Sequence, residues 1–175
     1  MFSKNSIHLS ISPIAWTNDD LPDLGGHITF EQCVGEMAAA GFTGSEIGNK
    51  YPKDPTVLKS ALENRGLQIS SAWLSTFFSE EGRTEDTVKN FVEHMNFLKA
   101  LGAKVVNICE CGHCVQLISG YVFDRPKYTD EQWLQVAEGL NRVGEMARKN
   151  GMVIAYHYHM GTMVQNAEET ERLRE

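Results

Sequence analysis

The sequence predicts an α/β fold built on a parallel sheet, and three observations lead to this prediction. Short apolar or β-branched runs alternate five times with longer stretches of helical periodicity. A glycine follows most of the helical stretches, where a residue of left-handed conformation commonly ends a helix. No G-x-G-x-x-G follows the first apolar run, which disfavours a dinucleotide-binding sheet. The remaining candidates are a doubly wound sheet and a (β/α)8 barrel.

Each element has its own signal. The predicted strands are the apolar runs 7–16, 43–48, 68–75, 104–110 and 152–159. The predicted helices carry apolar residues three or four positions apart and cover 29–42, 54–67, 85–103, 129–151 and 166–175. Thr29 and Thr129 each precede a glutamine at the third helical position, and Asp54 precedes a proline at the first. These are typical N-terminal caps, so the helix starts are well defined.

Composition limits the class of protein. The 175 residues are 42% hydrophobic and 22% charged, which is enough for one sizeable core and predicts a single domain over 1–175. The net charge of −7 without a basic stripe argues against a nucleic-acid partner. No apolar run approaches the roughly 20 residues of a membrane span, and the first residues lack a secretory pattern. We therefore expect a cytoplasmic protein with reduced thiols and no membrane partner.

The stretch CECGHC, residues 109–114, places three cysteines and a histidine within six residues. A structural zinc site normally uses two separated pairs of ligands, and no second pair follows here. A C-x-x-C redox pair needs a helix N-terminus, which GHCVQLISG does not predict. The simplest interpretation is that Cys109 and Cys111 are small packing residues on one face of a strand. Glu110, which lies between them, is then expected to point towards a ligand.

Ligands of parallel α/β folds bind at the carboxyl ends of the strands, so the polar and aromatic residues there are the candidate site. These residues are Trp16, Asn18, Asp19, Glu46, Trp73, Glu110, His157 and His159. The two tryptophans are suited to stacking on a sugar-like ring, although core packing is their commoner use. His157 and His159 are two positions apart in a predicted strand and should share one face. Two such imidazoles can hold a divalent metal or act as acid and base near neutral pH.

Four stretches of the chain resemble the inosose dehydratases, a group within the xylose isomerase-like TIM-barrel superfamily. They are ISPIAWTNDD, GFTGSEIGNKYPKDPTVLKSALENRGLQISSAWLS, FLKALGAKVVNICE and GMVIAYHYHMGTMVQ. The resemblance covers nearly the whole chain. It implies a (β/α)8 TIM barrel, of which these residues form about the first five βα units, because a complete barrel takes about 250 residues.

The resemblance also implies a reaction. The related enzymes dehydrate scyllo-inosose (2-keto-myo-inositol), a cyclic polyol ketone, to 3D-trihydroxycyclohexane-1,2-dione in myo-inositol catabolism. It implies Mn²⁺ or Co²⁺ and glutathione as cofactors, and self-association into a homo-oligomer. Glu110, His157 and His159 are the expected acid and base, and the two histidines are the expected metal ligands. Trp16, Asn18, Asp19, Glu46 and Trp73 are expected to bind the substrate.

Three alternatives stay open at this point. A sugar isomerase or epimerase of the same superfamily would use the same enolate chemistry without losing hydroxide. A partial barrel without activity would keep the strands and lack the later metal ligands, since the superfamily binds its metal at the ends of strands 5 to 8. A zinc-binding interaction protein would use CECGHC itself.

Overall fold

The computed structural model describes residues 7–116 and 124–175. The elements alternate as the sequence predicts. The strands are β1 (Ser10–Ile11), β2 (Gly44–Glu46), β3 (Gln68–Ser71), β4 (Trp73–Thr76), β5 (Val105–Glu110) and β6 (Val153–Tyr156). The helices are α1 (Phe30–Ala39), α2 (Pro55–Glu63), α3 (Thr84–Ala100), α4 (Asp130–Lys149) and α5 (Ala167–Arg174). A short 3₁₀ helix, Pro13–Ala15, follows β1.

The strands form two parallel sheets, in the orders β1-β2-β3 and β4-β5-β6. The predicted strand 68–75 is therefore interrupted at Ala72, and its two halves pair in different sheets. The predicted strand 7–16 is much too long, because Pro13 begins the 3₁₀ helix and lacks the N–H that a strand ladder needs. The chain divides into two compact units, Met1–Ala72 with Asn96–Val105, and Trp73–Met95 with Val106–Glu175.

The helix caps follow the predicted chemistry. The Thr29 hydroxyl accepts the Gln32 N–H, and the Asp54 carboxylate accepts the N–H groups of Thr56 and Val57. Thr129 forms a complete capping box with Gln132 at the start of α4. These bonds satisfy backbone donors that a helix N-terminus leaves without intrahelical partners, so they fix the helix starts.

Each unit has an apolar centre formed by one face of its helices against its sheet. In the first unit, the buried side chains of α1 and α2 include Val34, Met37, Leu58 and Leu62. In the second unit, the buried side chains include Phe78, Phe91, Val106, Ile108, Val136 and Val143. This periodic burial follows the helical stripes in the sequence. Among the described residues, no helix is both long and apolar enough to cross a membrane.

Candidate active site

Trp73 begins β4, and two imidazoles that follow β6 contact its ring. The ring centroid of His157 lies 5.1 Å from that of Trp73, and that of His159 lies 5.9 Å away. The two imidazole centroids are 6.0 Å apart. Trp73 is 38% exposed, so the cluster is open to solvent. The structure thus brings together three predicted site residues, an exposed indole and two imidazoles.

The histidines do not lie in a strand, contrary to the prediction. β6 ends at Tyr156, and only the His157 N–H continues its pairing, by donating to the Ile108 carbonyl at 2.8 Å. The backbone then turns, since the His159 N–H donates to the Val164 carbonyl at 3.1 Å. The turn still leaves both rings against Trp73.

The turn also fixes the tautomer of one imidazole. His159 Nδ1 lies 3.1 Å from the Met160 carbonyl oxygen. A carbonyl only accepts hydrogen bonds, so Nδ1 is the donor, and the neutral ring keeps its lone pair on Nε2. Nε2 is therefore the nitrogen of His159 that can take a proton from a ligand.

The Glu110 carboxylate is buried, with no exposed surface, and accepts five hydrogen bonds. Oε2 accepts the Thr76 hydroxyl at 2.8 Å and the Phe78 N–H at 3.0 Å. Oε1 accepts the Ser79 hydroxyl at 2.8 Å, the Ser79 N–H at 3.2 Å and the Gly112 N–H at 3.1 Å. The expectation that this side chain points towards a ligand is therefore wrong.

The reason lies in the pairing of the strands. Thr76 is the direct partner of Glu110 in the parallel register of β4 and β5. Both strands end at this level, and the loops that follow them have backbone N–H groups without an acceptor in a neighbouring strand. A carboxylate is the strongest acceptor for such donors. The catalytic role of Glu110 stays a prediction, and the geometry gives this carboxylate a structural task instead.

Two predicted substrate-binding residues of the first unit make local hydrogen bonds. Trp16 Nε1 donates to Glu36 Oε2 at 2.6 Å. Asn18 Oδ1 accepts the N–H groups of Asp20 at 3.0 Å and Leu21 at 2.8 Å. This is an Asx turn, in which the side chain shapes its own loop. The structure thus gives both residues a role in the 16–21 loop, and ligand binding by them stays a prediction.

The two acidic candidates of the first unit also have partners. The backbone N–H of Asn49 donates to the carboxylate of the exposed Asp19, whose two oxygens lie 3.3 and 3.2 Å from this nitrogen. Glu46 ends β2, and its Oε1 accepts the Ser71 hydroxyl at 2.8 Å. Glu46 keeps some exposed surface, unlike Glu110. Binding of ring hydroxyls by these two carboxylates stays a prediction.

The four cysteines are free thiols. Cys109 and Cys111 are 0% and 9% exposed, which confirms their predicted packing role. A hydrogen bond with Cys111, together with burial, raises the pKa of Cys109. Burial likewise raises the pKa of Cys114. Cys109 and Cys114 are therefore poor nucleophiles.

Arg125, which lies in a polar stretch before α4, has no signal in the sequence that predicts its burial. Arg125 is 7% exposed and forms an ion pair with Glu169. Lys127 also contacts that carboxylate, at 3.0 Å. Burial alone would raise the pKa of Glu169, but the hydrogen bonds from these cations and from the Gln165 N–H lower it to about 2. No local pattern could have identified a partner so distant in sequence.

A cavity of about 280 Å³ lies beside this ion pair, lined by residues that include Trp133, Glu169 and Arg172. It does not include Trp73 or the two histidines. Arg172 is already engaged there, stacking on Trp133 at 4.6 Å and pairing with Asp130 at 2.6 Å. We therefore take the Trp73–histidine cluster, which carries proton-transfer groups, as the candidate site.

A metal centre does not follow from the described residues alone. Within 7–116 and 124–175, no three His, Cys, Asp or Glu side chains are grouped so that they could hold a metal ion. His157 and His159 offer two imidazoles, and a divalent cation needs further ligands. The residues present therefore do not fit a complete metal site.

The fold and this site place the chain in a known class. The family model of the xylose isomerase-like TIM barrel matches residues 34–175. The chain belongs to this family, as the resemblance in its sequence implied.

The relatives with curated names are more specific. An inosose dehydratase of Bacillus anthracis (strain CDC 684 / NRRL 3495) is 51% identical over 175 residues, which cover 99% of this chain and 58% of the relative. An inosose dehydratase of Serratia proteamaculans (strain 568) is 50% identical over 171 residues, with 97% and 57% covered. The chain thus spans less than two thirds of the length of these relatives.

Solved structures support the fold. L-ribulose 3-epimerase superposes with a TM-score of 0.67 at 16% identity, over 94% of this chain and 55% of that one. A probable 3-DHS dehydratase from Bacillus anthracis superposes with a TM-score of 0.66 at 14% identity, over 95% and 58%. The matched shares agree with a (β/α)8 barrel of which this chain forms a part.

Proposed function

We propose that this chain serves the dehydration of scyllo-inosose to 3D-trihydroxycyclohexane-1,2-dione, as a hydro-lyase of myo-inositol catabolism. The observation that carries the proposal is the 51% identity to an inosose dehydratase over 99% of the chain. The arrangement of Trp73, His157 and His159 is consistent with it, because the reaction needs proton transfer beside a polyol ring.

The chemistry assigns roles to these three residues. Loss of water next to a ketone begins when a base removes the proton α to the carbonyl, and it ends when an acid protonates the departing hydroxyl. His159 Nε2 is the proposed base, since Nδ1 donates to the Met160 carbonyl. His157, with its ring centroid 6.0 Å from that of His159, is the proposed acid. The exposed part of Trp73 offers an apolar surface to the carbon face of the ring.

The cofactors in this proposal are inferred only from the resemblance to the inosose dehydratases. Mn²⁺ or Co²⁺ and glutathione are the expected additions to an assay. The described residues do not complete a metal site. A cytoplasmic location and self-association stay predictions.

The test is an assay of the 175-residue chain with inosose in the presence of Mn²⁺ or Co²⁺ and glutathione. We expect an enol absorbance from the dione product, and a loss of roughly 10²–10⁴-fold in kcat for His159→Ala and His157→Ala. His8→Ala, which removes an exposed imidazole in the first unit, is the control and should keep full activity.

Two outcomes would contradict the proposal. Conversion of a ketohexose to its epimer without dehydration would favour the isomerase alternative. A folded chain without turnover of either substrate would favour the inactive partial barrel.

A further inference from the structure

The Glu110 carboxylate joins two loops that leave neighbouring strands. The 77–80 loop follows β4 and donates to it from Phe78 N–H and from both the N–H and hydroxyl of Ser79. The 111–113 turn follows β5 and donates from Gly112 N–H at 3.1 Å. One buried side chain therefore satisfies three backbone donors of two separate loops.

All five hydrogen-bond donors are uncharged hydroxyl or backbone N–H groups, and the charge in these bonds is that of the Glu110 carboxylate. Hydrogen bonds to a charged acceptor are stronger than neutral ones. An amide in place of the carboxylate has only one acceptor oxygen, and its NH₂ group would face donors. Glutamine keeps the shape of Glu110 and cannot make the same five bonds.

The turn is built closely around this carboxylate. A Cβ added to Gly112 would lie 2.1 Å from Ser79 Oγ and 2.6 Å from Glu110 Oε1, so only glycine fits. The Tyr128 hydroxyl donates to the Gly112 carbonyl. The backbone N–H and the backbone carbonyl of Gly112 are therefore both held by hydrogen bonds.

His113 is the next residue, and its position depends on both loops. Its backbone has φ of 55°, a left-handed conformation that non-glycine residues rarely adopt. Its N–H donates to Glu80 Oε1, and its Nε2 lies 3.4 Å from the Ser79 carbonyl oxygen. Such strain persists only where the surroundings hold it, and it is concentrated at functional sites.

The Ser79 carbonyl also fixes the state of this imidazole. Because a carbonyl only accepts, Nε2 is the donor, and the neutral ring keeps its lone pair on Nδ1. His113 is exposed, unlike Cys109, Glu110 and Cys111. It is therefore the residue of CECGHC that is most open to solvent.

We propose that Glu110 is a positioning residue, whose buried carboxylate ties the 77–80 loop to the 111–113 turn and so holds the exposed His113 imidazole in its orientation. This proposal does not rest on the proposed function, because it follows from the hydrogen bonds of the chain itself.

Hydrogen exchange of the backbone amides in Glu110→Gln tests the tie between the loops. We expect the amides of Phe78, Ser79 and Gly112 to exchange at least about tenfold faster, which corresponds to the loss of one ordinary hydrogen bond each. The amide of Val106 should be unchanged. Glu46→Gln, a matched change at the end of β2, should leave all of these rates unchanged.

The position of the His113 ring is tested by a separate measurement. In Glu110→Gln, we expect the ring signals of His113 in NMR spectra to shift and broaden while those of His157 stay fixed. Unchanged exchange at the three amides, or an unmoved His113 ring, would overturn the proposal. A purely local packing role would leave the His113 ring where it is.

A milder variant covers the case in which Glu110→Gln does not fold. Ser79→Ala keeps the carboxylate and removes one of its five donors. Because the Ser79 hydroxyl and the Gly112 N–H share Oε1 as acceptor, the amide signal of Gly112 should shift in NMR spectra while the fold is retained, and an unshifted signal would overturn the proposal. Faster exchange in a chain without dehydratase activity would remove the proposed function and leave the positioning role in place.

Discussion

At Gly139 of α4, one added methyl group should disturb the packing of the second unit. A Cβ at this position would lie 2.3 Å from Cγ and Cδ1 of Phe78, far inside van der Waals contact. Phe78 is 1% exposed, so its ring has no free space into which it can move. Overpacking costs about 1–3 kcal/mol, and so short an approach to a buried ring falls at the upper end of that range, while the higher helix propensity of alanine offsets about 1 kcal/mol. We expect Gly139→Ala to lower the free energy of unfolding by about 2 kcal/mol.

Gly144→Ala in the same helix is the matched control. Its Cβ would meet only the flexible end of Ile154, with Cδ1 at 3.3 Å. The propensity term should then dominate and raise the free energy of unfolding by up to about 1 kcal/mol. Urea denaturation followed by circular dichroism measures both variants, and we expect a difference of about 3 kcal/mol between them. If Gly139→Ala proved as stable as Gly144→Ala, the close packing of Phe78 on α4 would be refuted.

Three further predictions concern pH, a helix cap and the thiols. The Glu169 carboxylate has its pKa lowered to about 2 from an ordinary 4.5, so its contribution to stability is complete above pH 4.5 and is lost as the pH falls towards 2. Between those pH values the wild type should lose about 3 kcal/mol more than Glu169→Gln in urea titrations, and parallel curves would contradict this. Thr129→Ala removes the capping box of α4 and should lower the free energy of unfolding by about 1 kcal/mol in the same assay; an unchanged midpoint would be inconsistent with the cap. Iodoacetamide should modify Cys114 alone, and slowly, in the native protein, since Cys33, Cys109 and Cys111 are at most 9% exposed. Mass spectrometry measures the modification, and rapid labelling of any of these three buried cysteines would disprove the prediction.

The fold could be predicted because its signals are local. Helix starts depend on a cap and the residues just after it, so Thr29, Asp54 and Thr129 were identified correctly. Strand ends depend on pairing partners that are distant in sequence. The run 7–16 predicts one strand, yet Pro13 ends it, and the run 68–75 divides between two sheets at Ala72.

The candidate site was predicted as a set of residue types, and the tertiary structure decided which of them lie together. Trp73, His157 and His159 come together because the turn after β6 brings both rings to the residue that begins β4. Glu110 looked equally suitable in the sequence, since a carboxylate at a strand end is open to either role. The parallel register sets it opposite Thr76, beside loops with backbone donors to satisfy, and buries it.

The sequence by itself determined the alternation of strands and helices, the helix caps and the chemical groups at the strand ends. These depend on periodicity and on residues near one another in the chain. Only the tertiary structure decided that Glu110 faces inwards, that His113 is the most exposed residue of CECGHC and that Arg125 is buried against Glu169. Burial and hydrogen bonding between distant residues set the role of an ionisable side chain, and neither can be obtained from spacing along the chain.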